Sequence, residues 1–99
     1  MILEQAVLDV RPGREDAFEI AFAEAQAIIS SAAGFESLQL LRCVENGSRY
    51  LLLVAWERLE DHTDGFRTSA GYEEWKRLLH GFYDPFPTVE HFSPVTHVS

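Results

Sequence analysis

The chain has 99 residues, 46% of them hydrophobic, with 16 acidic and 8 basic side chains and a formal charge of −8. That apolar content supports one small domain and argues against disorder. The acidic balance disfavours nucleic acid and anionic membranes as partners, and no apolar run reaches the ~18 residues of a membrane-spanning helix.

The N-terminus, Met1-Ile2-Leu3-Glu4, lacks the basic start and long apolar run of a secretory signal. Cys43 is the single cysteine and cannot form an internal disulfide, so the cytoplasm is the expected location. The acids are spread along the chain and read as a solvated surface. No repeat, linker or low-complexity segment divides it, and residues 1–99 read as one domain.

Ile2 to Val10 reads as a strand with apolar residues on both faces: Ile2, Ala6, Leu8 and Val10 share one parity, and Leu3 and Val7 share the other with Gln5 and Asp9. Arg11-Pro12-Gly13 is a turn signal. Pro12 is expected to open a helical region with Glu15 and Asp16 in its early turns. Its apolar stripe is Phe18, Phe22, Ala25, Ile29 and Ala32, and Gly34 suits a left-handed C-terminal cap.

Phe35 to Val44 reads as the second strand, and Asn46-Gly47 is a hairpin signal. Arg49 to Trp56, the third strand, is apolar on both parities. A short helix is expected over 59–66. A second main helix follows, with Ser69 as its cap and Tyr72, Trp75, Leu79 and Phe82 on one stripe; Pro85 and Pro87 forbid its continuation. Thr88 to Val95 reads as the last strand, with Pro94 confining its end to an edge or bulge. The order is β-α-β-β-α-β, an α+β arrangement. Two helical regions cover only one face of such a sheet, yet the third strand is apolar on both, which predicts self-association through the uncovered face.

Trp56-Glu57 closing a strand, then Phe66-Arg67-Thr68-Ser69 with Tyr72 and Trp75, then Val89-Glu90-His91-Phe92, resembles the antibiotic biosynthesis monooxygenase (ABM) family in order and spacing. The resemblance spans about residues 1–96. It implies a ferredoxin-like βαββαβ subunit with an antiparallel sheet and helices on one face. It also implies a dimeric α/β barrel and oxidation of a small aromatic, phenolic or quinol-type molecule without a cofactor. The heme-degrading branch of the family uses an asparagine in the first strand, then a tryptophan and a heme-ligating histidine in the last helical region. The matching positions here hold Gln5, Phe66 and Lys76. Lysine removes the expected iron ligand, and His80, one helical turn on, is a poor substitute; heme degradation is not expected.

The rings between Phe66 and Phe86 build either a core or the wall of an apolar pocket. The pocket reading makes Gln5, Phe22, Phe66, Tyr72, Trp75, Lys76, Phe82 and Tyr83 the substrate contacts: rings to stack, Tyr83 to hydrogen-bond, and Lys76, like Arg42, to stabilise a phenolate. In the family the last strand borders the pocket, which makes His91 the candidate base, with a pKa near neutrality. His62, His80, His91 and His97 show no helical i, i+4 metal spacing, and no metal site is expected. A non-catalytic module binding small aromatics, or an isomerase on the same fold, would use the same pocket.

Overall fold

The computed structural model describes residues 1–99. Its elements are β1 (Ile2–Asp9), α1 (Glu15–Ser30), β2 (Phe35–Arg42), β3 (Arg49–Trp56), a π-helical turn (Asp61–Gly65), a 3₁₀ turn (Phe66–Thr68), α2 (Ala70–Leu79) and β4 (Val89–Phe92). The four strands form one antiparallel sheet in the order β2-β3-β1-β4. This is the expected α+β, ferredoxin-like subunit. No helix is long and apolar enough to cross a membrane.

Strand parity decides which side chains meet the helices. On the inner face, Ala6, Leu8, Tyr50, Leu52, Val54 and Trp56 are buried against Phe18, Phe22, Ala25 and Ile29 of α1 and Trp75 and Leu79 of α2. Rings knit this layer: Phe22 meets Trp75 edge-on at 5.7 Å, and Phe18 contacts Tyr50 at 4.9 Å. The outer face has no helix over it. There Leu3 lies opposite Phe92 and Ala55, and Val7 lies opposite Leu51. Val7, Leu41 and Phe92 are 40–45% exposed on that face. The C-terminal tail leaves it bare, since Val95 and Val98 stand in solvent.

Several boundaries differ from the sequence reading. The first main helix begins at Glu15, because Gly13 adopts φ +88°, a left-handed conformation no helix residue takes. Glu15 then accepts a hydrogen bond from the Gly13 N–H. Ser69 caps α2 as expected, its hydroxyl accepting from the Tyr72 N–H. That helix ends at Leu79, so Phe82 lies beyond the stripe. The last strand ends at Phe92, short of Pro94. The short helix expected before α2 is a π turn followed by a 3₁₀ turn.

Gly34 fixes where that π turn lies. Its φ is +82°, and a Cβ there would come within 2.1 Å of the Asp61 carboxylate. Its carbonyl accepts from the Glu57 N–H at 2.7 Å. Only a residue without a side chain lets the start of the turn pack this closely.

Neighbouring leucines separate the two faces. Leu52→Lys buries an unpaired charge against the helices and should abolish cooperative thermal unfolding. Leu53→Lys projects from the outer face and should leave a folded chain that still melts cooperatively.

Candidate functional site

A cavity of about 330 Å³ lies between the inner sheet face, α2 and the segment after it. Its sheet side is Ala6, Leu8, Leu52 and Val89, and its opposite wall is Phe66, Tyr72, Trp75 and Leu79. His80, Tyr83, Phe86 and Pro87 close one side. The rings support one another: Phe66 meets Tyr72 and Trp75 edge-on, and His80 sits 5.0–6.0 Å from the rings of Phe86, Tyr83 and Tyr72. Tyr83 is anchored by a backbone bridge to Val10. Burial pushes its hydroxyl above the usual tyrosine range and lowers the pKa of His80, with Lys76 adding to the effect.

The other end of the cavity is polar. Glu4, 5% exposed, lines it together with His62 and Arg67. The Trp56 Nε1–H donates to Glu4 Oε1 at 2.9 Å. His62 stacks on the Trp56 indole, centroids 5.4 Å apart and planes 18° from parallel. Its Nε2 lies 3.4 Å from Glu4 Oε1, and its Nδ1 lies 2.7 Å from Nε2 of His91. The last separation is that of a hydrogen bond. Two nitrogens on one tetrahedral zinc stand farther apart, since each Zn–N bond is ~2.0–2.1 Å long. No group of three or more His, Cys, Asp or Glu is arranged to hold a metal ion.

Burial governs the electrostatics of this end. It raises the Glu4 pKa, against the lowering effects of the Trp56 hydrogen bond and the Arg67 charge. It lowers His62 to about 3, helped by Arg67 and by His91. His91 is also lowered, by burial and then by Arg67. Arg67 makes no ion pair within the chain. It is thus a free guanidinium at the cavity, able to favour an anion bound there.

The sequence model described as "Antibiotic biosynthesis monooxygenase" matches residues 1–78. The chain belongs to this family. It is 55% identical over 95 residues to YczJ of Bacillus subtilis (strain 168), an uncharacterized protein; the match covers 96% of this chain and all of YczJ. A crystal structure of a Bordetella bronchiseptica protein assigned to antibiotic biosynthesis monooxygenases superposes with a TM-score of 0.91 at 37% identity. That match covers 96% of this chain and 97% of the other. The fold is also that of SnoaB, a cofactor-independent oxygenase from Streptomyces nogalater. Here the TM-score is 0.81 at 20% identity, with 98% and 95% of the two chains covered.

Within this ABM domain, four of the eight residues expected to contact substrate line the cavity: Phe66, Tyr72, Trp75 and Tyr83. The other four do not. Gln5 lies on the outer sheet face beside Val7 and Leu51, because its parity is opposite to that of Glu4 and Ala6. Phe22 is consumed in the core between Phe18 and Trp75. Lys76 lies over the Tyr72 ring and pairs with Glu73, outside the cavity. Phe82, beyond the end of α2, packs on Phe18 under Arg14. His91 is not in the cavity wall either; it meets the site only through His62. Arg42 is a surface cation paired with Glu19.

Sequence reasoning missed Glu4, His62 and Arg67 as cavity residues; it placed Phe86 among the rings of a core or pocket wall and His80 beside them, but named neither as a substrate contact. One signal was available: Glu4 interrupts the same parity as Ala6 and Leu8, where a buried acid needs a partner. Nothing local marks His62, whose burial depends on Trp56 and on the Gly34–Asp61 contact.

The His62 shift sets a pH dependence of stability. Its folded pKa, about 3, lies below its unfolded value near 6.5. Neutral His62 therefore contributes stability that is fully present above pH 6.5 and is lost as the pH falls toward 3. Glu4 acts in the opposite sense, its contribution being lost as the pH rises through its raised folded pKa. Denaturant melts across this range should show stability falling with acidity, and His62→Gln should flatten that slope. An unchanged slope would show that His62 does not carry it.

Proposed function

We propose that this chain is a monooxygenase that oxidises a small aromatic, phenolic or quinol-type substrate without a cofactor, in the cavity between sheet and α2. The observation that carries this reading is the pairing, in one cavity, of an aromatic wall with a buried carboxylate–histidine end. Family membership and the likeness to SnoaB support it.

Phe66, Tyr72 and Trp75 hold an aromatic ring by stacking and edge contacts. Glu4, with His62 beside it, removes a hydroxyl proton; the raised pKa of Glu4 makes it a stronger base than an ordinary carboxylate. Arg67 stabilises the resulting anion. An electron-rich anion of this kind gives an electron to dioxygen directly, and the apolar walls limit access of water to the intermediates. His91 contributes through His62 rather than by touching substrate. The working form is proposed as a homodimer packed through the outer sheet face, which would cover Val7, Leu41, Leu51, Leu53 and Phe92.

Oxygen uptake with a panel of hydroquinones and polyphenols, with no metal or flavin added, tests the activity. Turnover should occur, and Glu4→Gln should lower kcat by ~10²-fold or more, the scale of general-base catalysis. Tyr72→Ala should raise KM more than it lowers kcat. Saturable binding of the panel with no oxygen consumption would make the chain a binding module instead. Turnover that persists without oxygen would make it an isomerase. Light scattering should give twice the chain mass, and Leu53→Lys should halve it. Hemin should give no stoichiometric complex with a shifted Soret band, because Lys76 stands where the heme-degrading branch has its iron-ligating histidine; such a complex would make His80, in the cavity wall, the suspected ligand.

A further inference from the structure

Three titratable side chains run end to end from the polar end of the cavity to the sheet edge. Glu4, on β1, is buried and reaches the cavity. His62 is 3% exposed and stands between the other two. His91 pairs with Glu4 in the strand register, on edge strand β4, and is half-buried. The separations are 3.4 Å from Glu4 Oε1 to His62 Nε2 and 2.7 Å from His62 Nδ1 to His91 Nε2.

We propose that Glu4, His62 and His91 form a proton wire through which the Glu4 carboxyl exchanges its proton with solvent behind the site, not through the cavity mouth.

Imidazole suits the task because it accepts at one nitrogen while donating from the other. In the ionised form, the Glu4 carboxylate faces the His62 Nε2–H, and His62 Nδ1 accepts from the His91 Nε2–H. The free lone pair is then on His91 Nδ1, at the outer end. A proton from hydronium forms a bond to that nitrogen, leaving water. The His91 Nε2–H bond breaks as its proton bonds to His62 Nδ1, and the His62 Nε2–H bond breaks as its proton bonds to Glu4 Oε1. One proton has been taken up, Glu4 is neutral, and both rings are again neutral with their hydrogens on the other nitrogen. The reverse sequence discharges Glu4. The 3.4 Å step is the longest and must close by a few tenths of an ångström.

The surroundings favour this distribution. Burial raises the Glu4 pKa and lowers those of both histidines, which shifts proton affinity away from the rings and toward the carboxyl. Arg67 acts on all three: it opposes protonation of Glu4 and disfavours either imidazolium. The remaining titratable groups of the cavity are Tyr72, His80 and Tyr83. An aromatic ligand filling the cavity would exclude water from Glu4, and the wire would keep its charge adjustable from behind. That use rests on the proposed oxidation. The wire itself does not, so its test needs no substrate.

Nitrogen-15 NMR of the histidine-labelled full chain, with carbon-13 observation of the Glu4 carboxyl, reads the hydrogen on each ring nitrogen through a pH titration. His62 should carry its hydrogen on Nδ1 while Glu4 is protonated and on Nε2 once Glu4 is ionised. His91 should exchange nitrogens at the same midpoint, and neither ring should become imidazolium in that transition. Glu4→Gln should abolish the paired exchange. His91→Phe, which removes the acceptor for the His62 Nδ1–H, should hold His62 in its Nε2–H form. A His62 tautomer that stays fixed while Glu4 titrates would overturn the proposal, and this wild-type result decides even where Glu4→Gln does not fold. An exchange at His62 that survives in His91→Phe would overturn the route through His91. Absence of oxygenase activity alone would count against the proposed function and leave the NMR outcome standing.

Discussion

The indole of Trp56 makes two demands on the fold. Its ring has to leave water, and its N–H, once buried, has to find an acceptor. Both are met at the end of β3, where the side chain is fully buried and the N–H donates to Glu4 two strand positions from the chain terminus of β1. Removing the ring would cost ~3–5 kcal/mol on the scale of large aromatic truncations. Loss of its N–H would leave a buried carboxylate short of a donor. The same ring meets Phe35 edge-on and is covered by His62 and Phe66. Sheet, π turn and cavity wall therefore share one side chain.

The polar end of the cavity follows from that arrangement. A carboxylate buried beside an indole N–H has room for a second partner, and the π turn brings His62 there. Gly34 lets Asp61 sit close against the end of α1, and the next residue is His62. Stacking on Trp56 orients the imidazole so that one nitrogen faces Glu4 and the other faces His91. Each contact is an ordinary one. Together they convert a buried acid, which would otherwise be a defect, into a group connected to the sheet edge.

The aromatic half of the cavity has a different origin. Ser69 starts α2 so that Tyr72, Trp75 and Leu79 share a stripe facing the sheet. Trp75 serves both purposes at once: one edge meets Phe22 in the core, and the residue also lines the cavity. Core and pocket readings of the ring-rich segment are therefore both correct, for different atoms of the same residues. Lys76, one position on, turns outward and lies over the Tyr72 ring, which removes it from the site.

Much of the fold was legible in the sequence because it depends on short-range periodicity. Strand parity in 49–56, the Asn46-Gly47 turn, the left-handed conformation of Gly34 (which lies beyond the Ser31 cap of α1, not at it), the Ser69 cap and the ring stripe from Tyr72 to Leu79 each report a local backbone requirement. They sufficed for the βαββαβ order and for the bare outer face of the sheet. The site was half legible for the same reason: Phe66, Tyr72, Trp75 and Tyr83 belong to the stripe or follow closely on it. What the sequence did not contain was the meeting of residues far apart along the chain. Glu4, Trp56, His62 and His91 come from four segments, and only the sheet register with the placement of the π turn joins them. Gln5 and Glu4 are adjacent and similar in size, yet the pleat sends one to the outer sheet face and the other to the cavity. That choice belongs to the packed sheet, because only there does one face acquire helices and the other remain open.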